Sequence, residues 1–508
     1  MNNKKYRSLS ITFCKINNSG VNYQETPLRS RRFFVSSRIM LQVADTICAP
    51  ATSAGTGAVS IVRVSGPEAL SVVDRVVRLR RGKASDAPGY SLRYGSVEDL
   101  DEVLVAIFRA PHSYTGEDAA EISCHASPFI VERLLERLTQ AGCRLAEPGE
   151  FTQRAFVNGK MDLAQAEAVA DVIASVSSAQ HRVAMNQLRG GYSAELRGLR
   201  RQLLELTSLL ELELDFSEED VEFADRSRLR ALLDTACSHC RQLADSFRLG
   251  NAIRHGIPVA IIGAPNSGKS TLLNALLRDD RAIVSDIPGT TRDTVEETCV
   301  IGGLLFRFID TAGIRSASDE VERLGIERTF RKISEAEIVL ALVDVSLPEA
   351  EFNDVALPAL QTLLESGSSK EQKWLILANK VDIPGVKTHL DALYTFVSSI
   401  DNQLYSPEVL EISAKNGSGL EMLRSALVSR VGTAASGATL VTNARHAAAL
   451  RGAAESLSAV SDGLDRRLPT DLLAEDLRTA LISLGSITGE ITSDEVLGEI
   501  FSKFCIGK

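Results

Sequence analysis

No stretch of the 508-residue chain approaches the roughly 18 uninterrupted apolar residues that a membrane-spanning helix needs, so no such span is expected. Its eight cysteines are scattered, not spaced as a framework. That excludes a disulfide-stapled secreted scaffold and fits a reducing compartment. Internal repeats and low-complexity tracts are missing as well. Apolar residues make up 44% and charged residues 24%, which excludes wholesale disorder and collagen-like composition. An excess of positive charge is also lacking: the formal net charge is −10.

That figure hides an asymmetry. Residues 1–40 carry eight Lys/Arg and one acid, so the rest of the chain holds 48 bases and 65 acids, a net of −17. A body that acidic cannot hold a polyanion by overall charge; contact with nucleic acid would need a local basic patch or a partner. The basic, Ser-rich arm reads either as an organellar transit peptide or as translation called from a start upstream of Met40. On both readings residues 1–44 lie outside the fold. The first implies a mitochondrial or chloroplast address and the second a cytoplasmic one.

The length calls for two to four domains. Residues 45–158 mix β-rich runs (59–64, 103–108) with helical stretches after Ser65-Gly66-Pro67 and over 128–141, as expected of an α+β domain. From residue 159 to 255 the texture is Ala/Leu/Glu/Gln-rich. Leu196, Leu199, Leu203, Leu206 and Leu210 are spaced by three and four, which puts them on one helical face. The acidic run at 215–223 interrupts it. Residues 256–434 alternate apolar strands (257–262, 304–309, 338–343, 374–378, 409–412) with helices, the period of a doubly wound α/β domain. Residues 435–508 return to helical texture. The fold class expected is therefore multidomain α/β, with an α/β domain inserted into a helical domain behind an α+β N-terminal domain.

Gly263-Ala264-Pro265-Asn266-Ser267-Gly268-Lys269-Ser270 is a G-x-x-x-x-G-K-S loop between an apolar strand and a helix. Its glycines let backbone N–H groups curl round phosphate oxygens, and the helix start adds positive dipole. Lys269 would reach the terminal phosphates and Ser270 would ligate Mg²⁺, with Thr271 following in the first turn. Asn379-Lys380-Val381-Asp382 is N-K-x-D at a strand end. The Asp382 carboxylate can accept from the ring N–H and the exocyclic amine of guanine, a donor pair adenine lacks. Ser413-Ala414-Lys415 can add a backbone N–H to the guanine carbonyl. Asp310-Thr311-Ala312-Gly313 would organise Mg²⁺ and sense the γ-phosphate. Thr290-Thr291-Arg292-Asp293 reads as a switch closing Thr291 onto the metal. The nucleotide expected is GTP. Ile314 stands where Ras-like proteins place a water-orienting glutamine, so hydrolysis needs another group.

The GTPase segment, the stretch 158–171 (NGKMDLAQAEAVAD) and the terminal Phe504-Cys505-Ile506-Gly507-Lys508 together resemble the tRNA modification GTPase family MnmE, also called TrmE. The resemblance spans about residues 45–508. It implies a folate-binding, dimerising N-terminal domain and a GTPase domain inserted into a helical domain. It implies that Glu322 orients the attacking water, and that K⁺ is held by Asn266, Ser285, Ile287 and Thr290, with Asp286, Pro288 and Gly289 completing that loop at the nucleotide. Position 285 is Ser where the family pattern has Thr. A tetrahydrofolate derivative (5-formyl- or methylene-) would be met by Arg63, Glu121, Lys160 and Lys508. Partners implied are a second copy, tRNA and the flavoprotein MnmG (GidA), in a heterotetramer. The reaction implied is addition of an aminomethyl-type or carboxymethylaminomethyl group to carbon five of wobble uridine.

Cys505 reads either as a thiol beside the folate or as a small buried packing residue. Cys237-x-x-Cys240 has no second pair and reads as two helical residues. The rival functional readings are an Era/Der-like ribosome-assembly GTPase, which would require a KH-like module after the GTPase segment, and a folate-dependent one-carbon enzyme with a regulatory GTPase domain.

Overall fold

A computed structural model describes residues 45–215, 226–280, 296–309, 333–367, 373–399, 407–431, 439–466, 468–492, 494–502, 504, 505 and 507. The chain divides into two compact units, residues 1–160 with 491–508 and residues 161–490. The last segment, expected from sequence to end the helical domain, thus groups with the N-terminal unit. Gly149 N donates to Cys505 O at 3.4 Å, and Arg63 Nη1 donates to Gly507 O at 3.2 Å.

The N-terminal unit is a seven-stranded sheet in the order β3-β4-β5-β6-β2-β1-β7. The strands are β1 (Ile47–Pro50), β2 (Val59–Ser65), β3 (Arg78–Leu79), β4 (Ser91–Val97), β5 (Asp101–Phe108), β6 (Ala119–His125) and β7 (Arg144–Leu145). Every pair is antiparallel except β1 with β7. Helices Ala69–Val76 and Pro128–Gln140 cover one face, packing Leu70, Val73, Leu134 and Leu138 onto Val62, Val64, Val105 and Ile122. The period of two sends alternate residues to the other face, where Leu92, Tyr94 and Leu104 stay exposed.

In the second unit the stretch 161–215 is helical, as its composition requires. Asp162 opens helix Leu163–Ala174 and Ser177 opens Ser178–Leu188, each with a reciprocal capping box closed by a glutamine three residues on. Leu196, Leu199, Leu203 and Leu206 are buried on one face of helix Gly191–Asp215, against helices Arg226–Asp245, Ala444–Asp465 and Thr470–Thr488. Of the acidic run, only Asp215 is among the described residues. Cys237 and Cys240 lie inside Arg226–Asp245, buried and unbridged, as their spacing suggests. Burial pushes both thiols up, Cys240 to about 12.

The chain leaves the helical layer after helix Phe247–His255 and enters a six-stranded sheet, β13-β12-β11-β8-β10-β9. Here β8 is Ile257–Gly263, β9 Glu297–Ile301, β10 Leu304–Phe308, β11 Ile338–Asp344, β12 Lys373–Asn379 and β13 Glu408–Ile412. All neighbours are parallel except β9 with β10. Five of the six strands are legible in the sequence as apolar runs. β9 is not, because its mixed sequence ETCVI gives no such run. Alternation again divides the core. Val259, Ile261, Leu340 and Leu342 face helices Lys269–Asp280 and Leu420–Val431, while Ala260, Ile262, Val339 and Ala341 face Leu357–Gly367 and Lys387–Ser399. The first strand lies between the third and fourth of this sheet, which is Ras-like topology. The fold is multidomain α/β: an α+β N-terminal domain, a helical domain, and a Ras-like P-loop GTPase domain inserted into it.

Candidate functional site

The reversal of strand order on either side of β8 opens a crevice at the carboxyl ends of the strands, where open α/β sheets bind ligands. Register aligns those ends. Gly263 pairs with Leu342, and Asp344, Asn379 and Ile412 stand side by side. The phosphate-type loop, the N-K-x-D segment and the S-A-K segment therefore share one rim.

The loop's shape depends on residues able to adopt left-handed backbone. Gly263 has φ +149° and Gly268 φ +102°. A Cβ on Gly263 would lie 2.6 Å from the Leu342 carbonyl oxygen, and one on Gly268 would collide with the Asn379 amide. Asn266 sits at φ +61°, exposed at the loop's tip. Lys269 opens the helix and turns its Nζ back onto the carbonyls of Gly263 (2.8 Å) and Ala264 (2.7 Å). Ser267 is buried, and its Oγ has no partner among the described residues. Ser270 and Thr271 are exposed on the first turn.

Asn379 is 2% exposed and fastens the two other loops to this one. Its Nδ2 donates to Ser267 O at 2.7 Å, and its Oδ1 accepts from Ala414 N at 3.0 Å. Lys380, at φ +72°, reaches Asp344 Oδ2 at 2.5 Å. Asp344 Oδ1 accepts from both N and Oγ of Ser346. Sequence reasoning missed Asp344 because the apolar run reads as ending at residue 343. The acid directly after that run was the available signal. Asp382 is exposed, and its carboxyl is held below the usual range, first by a hydrogen bond from Ser413 and also by the nearby Lys415 charge. Ser413 itself is buried, and its N–H donates to Ser418 O.

Ser285, Asp286, Ile287, Pro288, Gly289, Thr290, Thr291, Asp310, Thr311, Ala312, Gly313 and Glu322 lie outside the described residues, as does Lys508.

In the N-terminal unit Arg63 and Glu121 face each other across β2 and β6. Arg63 donates from Nε (3.0 Å) and Nη2 (2.8 Å) to Glu121 Oε1, and its guanidinium lies over the Tyr114 and Phe151 rings. Both bonds go to one oxygen, and Oε2 has no partner among the described residues. Lys160 Nζ donates to Pro111 O at 2.8 Å, on the segment that also carries Tyr114. Cys505 is exposed, which rules out its reading as a buried packing residue. Sequence reasoning also missed Arg154, buried and paired with Asp45, Glu117 and Glu150. Burial opposes ionisation of Glu150, but hydrogen bonds led by Arg144 outweigh it and hold that carboxyl low.

Comparison with known proteins agrees with this geometry. Residues 46–160 match the family "GTP-binding protein TrmE N-terminus", and residues 163–505 match "MnmE helical domain". A tRNA modification GTPase MnmE from Bacteroides thetaiotaomicron is 49% identical over 475 residues, covering 91% of this chain and 99% of that protein. One from Christiangramia forsetii is 49% identical over 478 residues, covering 92% and 100%. A GTP-binding protein from Sulfolobus solfataricus, solved with GDP, is 20% identical, covers 46% of this chain and 66% of its own, and has a TM-score of 0.25, too loose a likeness to carry an argument. Identity near one half over nine-tenths of the chain, with both family regions in order, is decisive: the chain belongs to the tRNA modification GTPase MnmE family, GTP-hydrolysing enzymes of tRNA modification.

Proposed function

We propose that GTP sits in the 263–270 cradle and that its hydrolysis rearranges the domains around a folate-dependent modification of wobble uridine, carried out with the flavoprotein MnmG. The observation that carries this reading is Asn379, which ties the phosphate loop to the base-side loop through both ends of one amide. Backbone N–H groups of Asn266, Ser267, Gly268, Lys269, Ser270 and Thr271 would hold the phosphates. Asn379, Lys380, Asp382, Ser413, Ala414 and Lys415 would hold guanine. Lys269 and the buried, unpartnered Ser267 hydroxyl fit a polyanion here. Mg²⁺ would be held by Ser270 and Thr291 and would supply charge neutralisation at the terminal phosphates. K⁺ would be held by Asn266, Ser285, Ile287 and Thr290. The remaining switch residues, Asp286, Pro288, Gly289, Asp310, Thr311, Ala312 and Gly313, would close the site.

The open oxygen of Glu121 fits the donor edge of a pterin, with Arg63 orienting that carboxylate. Lys160 and Lys508 would meet the anionic end of a tetrahydrofolate derivative, and the exposed Cys505 is proposed as a thiol beside it. A homodimer is proposed, as the family resemblance implies. No helix among the described residues is long and apolar enough to cross a membrane, and a cytoplasmic location is proposed.

Nucleoside analysis of tRNA tests the whole reading. A strain lacking this protein should lose the carbon-five modification of wobble uridine and regain it on complementation. Unchanged wobble nucleosides would favour the ribosome-assembly alternative. Exchange of K⁺ for Na⁺ should slow hydrolysis on the order of a hundredfold, because a charge aimed at the transition state is lost. Equal rates in both salts would remove K⁺ from the site.

A further inference from the structure

We propose that the β3 edge of the N-terminal unit docks the sugar-phosphate backbone of tRNA. This rests on the tRNA reading above and adds where on this chain the contact is made. A body of net −17 needs a local cationic patch to meet a polyanion, and one is present. Residues 75–93 hold six Lys/Arg and a single acid, Asp86. Arg75 is engaged by Glu68 and by the Ala141 carbonyl. Arg78, Arg80, Arg81 and Lys83 are exposed, and no carboxylate among the described residues forms an ion pair with them.

The fold concentrates these charges. β3 is the outermost strand, and Arg78 pairs with Ser96. Arg80 N donates to Tyr94 O at 3.0 Å, which carries the same register onward. Arg78 and Arg80 therefore stand on the uncovered face about 7 Å apart, two strand residues from each other. Arg81 and Lys83 follow in the turn, where Gly82 has φ +68°. Asp74, beside the patch, accepts from the backbone N–H groups of Ala84 (2.5 Å) and Ser85 (3.1 Å), which pins the turn. Tyr94, 42% exposed, stands opposite Arg80, so an aromatic ring lies beside the cations as a stacking platform for an unpaired base. Cations on an edge strand also deter edge-to-edge aggregation. That role does not call for Arg80, Arg81 and Lys83, which lie beyond the two-residue strand.

The test uses the full-length chain, an unmodified tRNA transcript, and a variant carrying Arg78→Gln, Arg80→Gln, Arg81→Gln and Lys83→Gln. Removing four phosphate contacts should weaken tRNA binding at least tenfold near 100 mM salt. It should also make the slope of log affinity against log salt shallower by about 3. GTP hydrolysis without tRNA should be unchanged, and the three Arg→Lys changes alone should keep the wild-type slope. If the Gln variant binds with wild-type affinity and slope, the placement is wrong while the tRNA reading stands. Self-association of that variant, or loss of its flavoprotein binding, would not rescue the placement. A wild-type chain with no affinity for tRNA at about 50 mM salt overturns both the placement and direct tRNA contact.

Discussion

Asp382→Asn should cost GTP on the order of 10³-fold in affinity while leaving a site able to take XTP. The carboxylate is ionised at neutral pH, because the Ser413 hydroxyl and the Lys415 charge hold it below the ordinary range. In that state it only accepts, and guanine offers it two donors. Two charge-assisted hydrogen bonds at about 1.5–3 kcal/mol each give a loss of that size. An asparagine keeps one acceptor and turns the other position into a donor. That mismatches the guanine amine and matches the carbonyl that xanthine carries in its place. The fold should survive, because Asp382 is exposed and the buried Asn379 still joins the loops through both ends of its amide. Competition binding with GTP, XTP and ATP checks the result. Undiminished GTP affinity would mean the base is read elsewhere, and the guanine assignment would fail with it.

What the sequence makes legible follows from how local each signal is. The phosphate loop is eight contiguous residues between a strand and a helix, so its chemistry and context are read together. The central parallel strands β11 and β12 are buried on both faces and appear as apolar runs, as in β11, where all seven residues are buried. The antiparallel β9 carries mixed residues and leaves no such mark. Pairings between distant residues are invisible. Arg63 and Glu121 are 58 positions apart, and only the family resemblance singles them out. Asp344 and Lys380 are 36 apart, and nothing in either segment announces the pair. Exposure at Cys505 is likewise undecidable from a terminal tetrapeptide, because burial there depends on where residues 491–508 dock.

Glu322→Ala should leave GTP affinity within about twofold of wild type while lowering the hydrolysis rate by 10²–10⁴-fold, the range for a lost acid–base or water-positioning group. Ile314, the residue after Asp310-Thr311-Ala312-Gly313, is alkyl and can neither accept a hydrogen bond from water nor polarise it. Lys269 and the cradle's N–H groups stabilise phosphate charge but do not aim a nucleophile. The family resemblance places the expected acceptor further along the same switch, at Glu322, with Asp319 and Glu320 also within eight residues of Ile314. Glu322→Gln separates the two ways such a residue can act. An amide oxygen still orients a water but does not take its proton, so partial activity in Gln and none in Ala assigns positioning, whereas equal loss in both assigns the carboxylate as base. Single-turnover hydrolysis, measured with nucleotide binding in parallel, distinguishes these outcomes. Full turnover in Glu322→Ala would pass the role to Asp319 or Glu320, and the same pair of substitutions at each would then locate the acceptor.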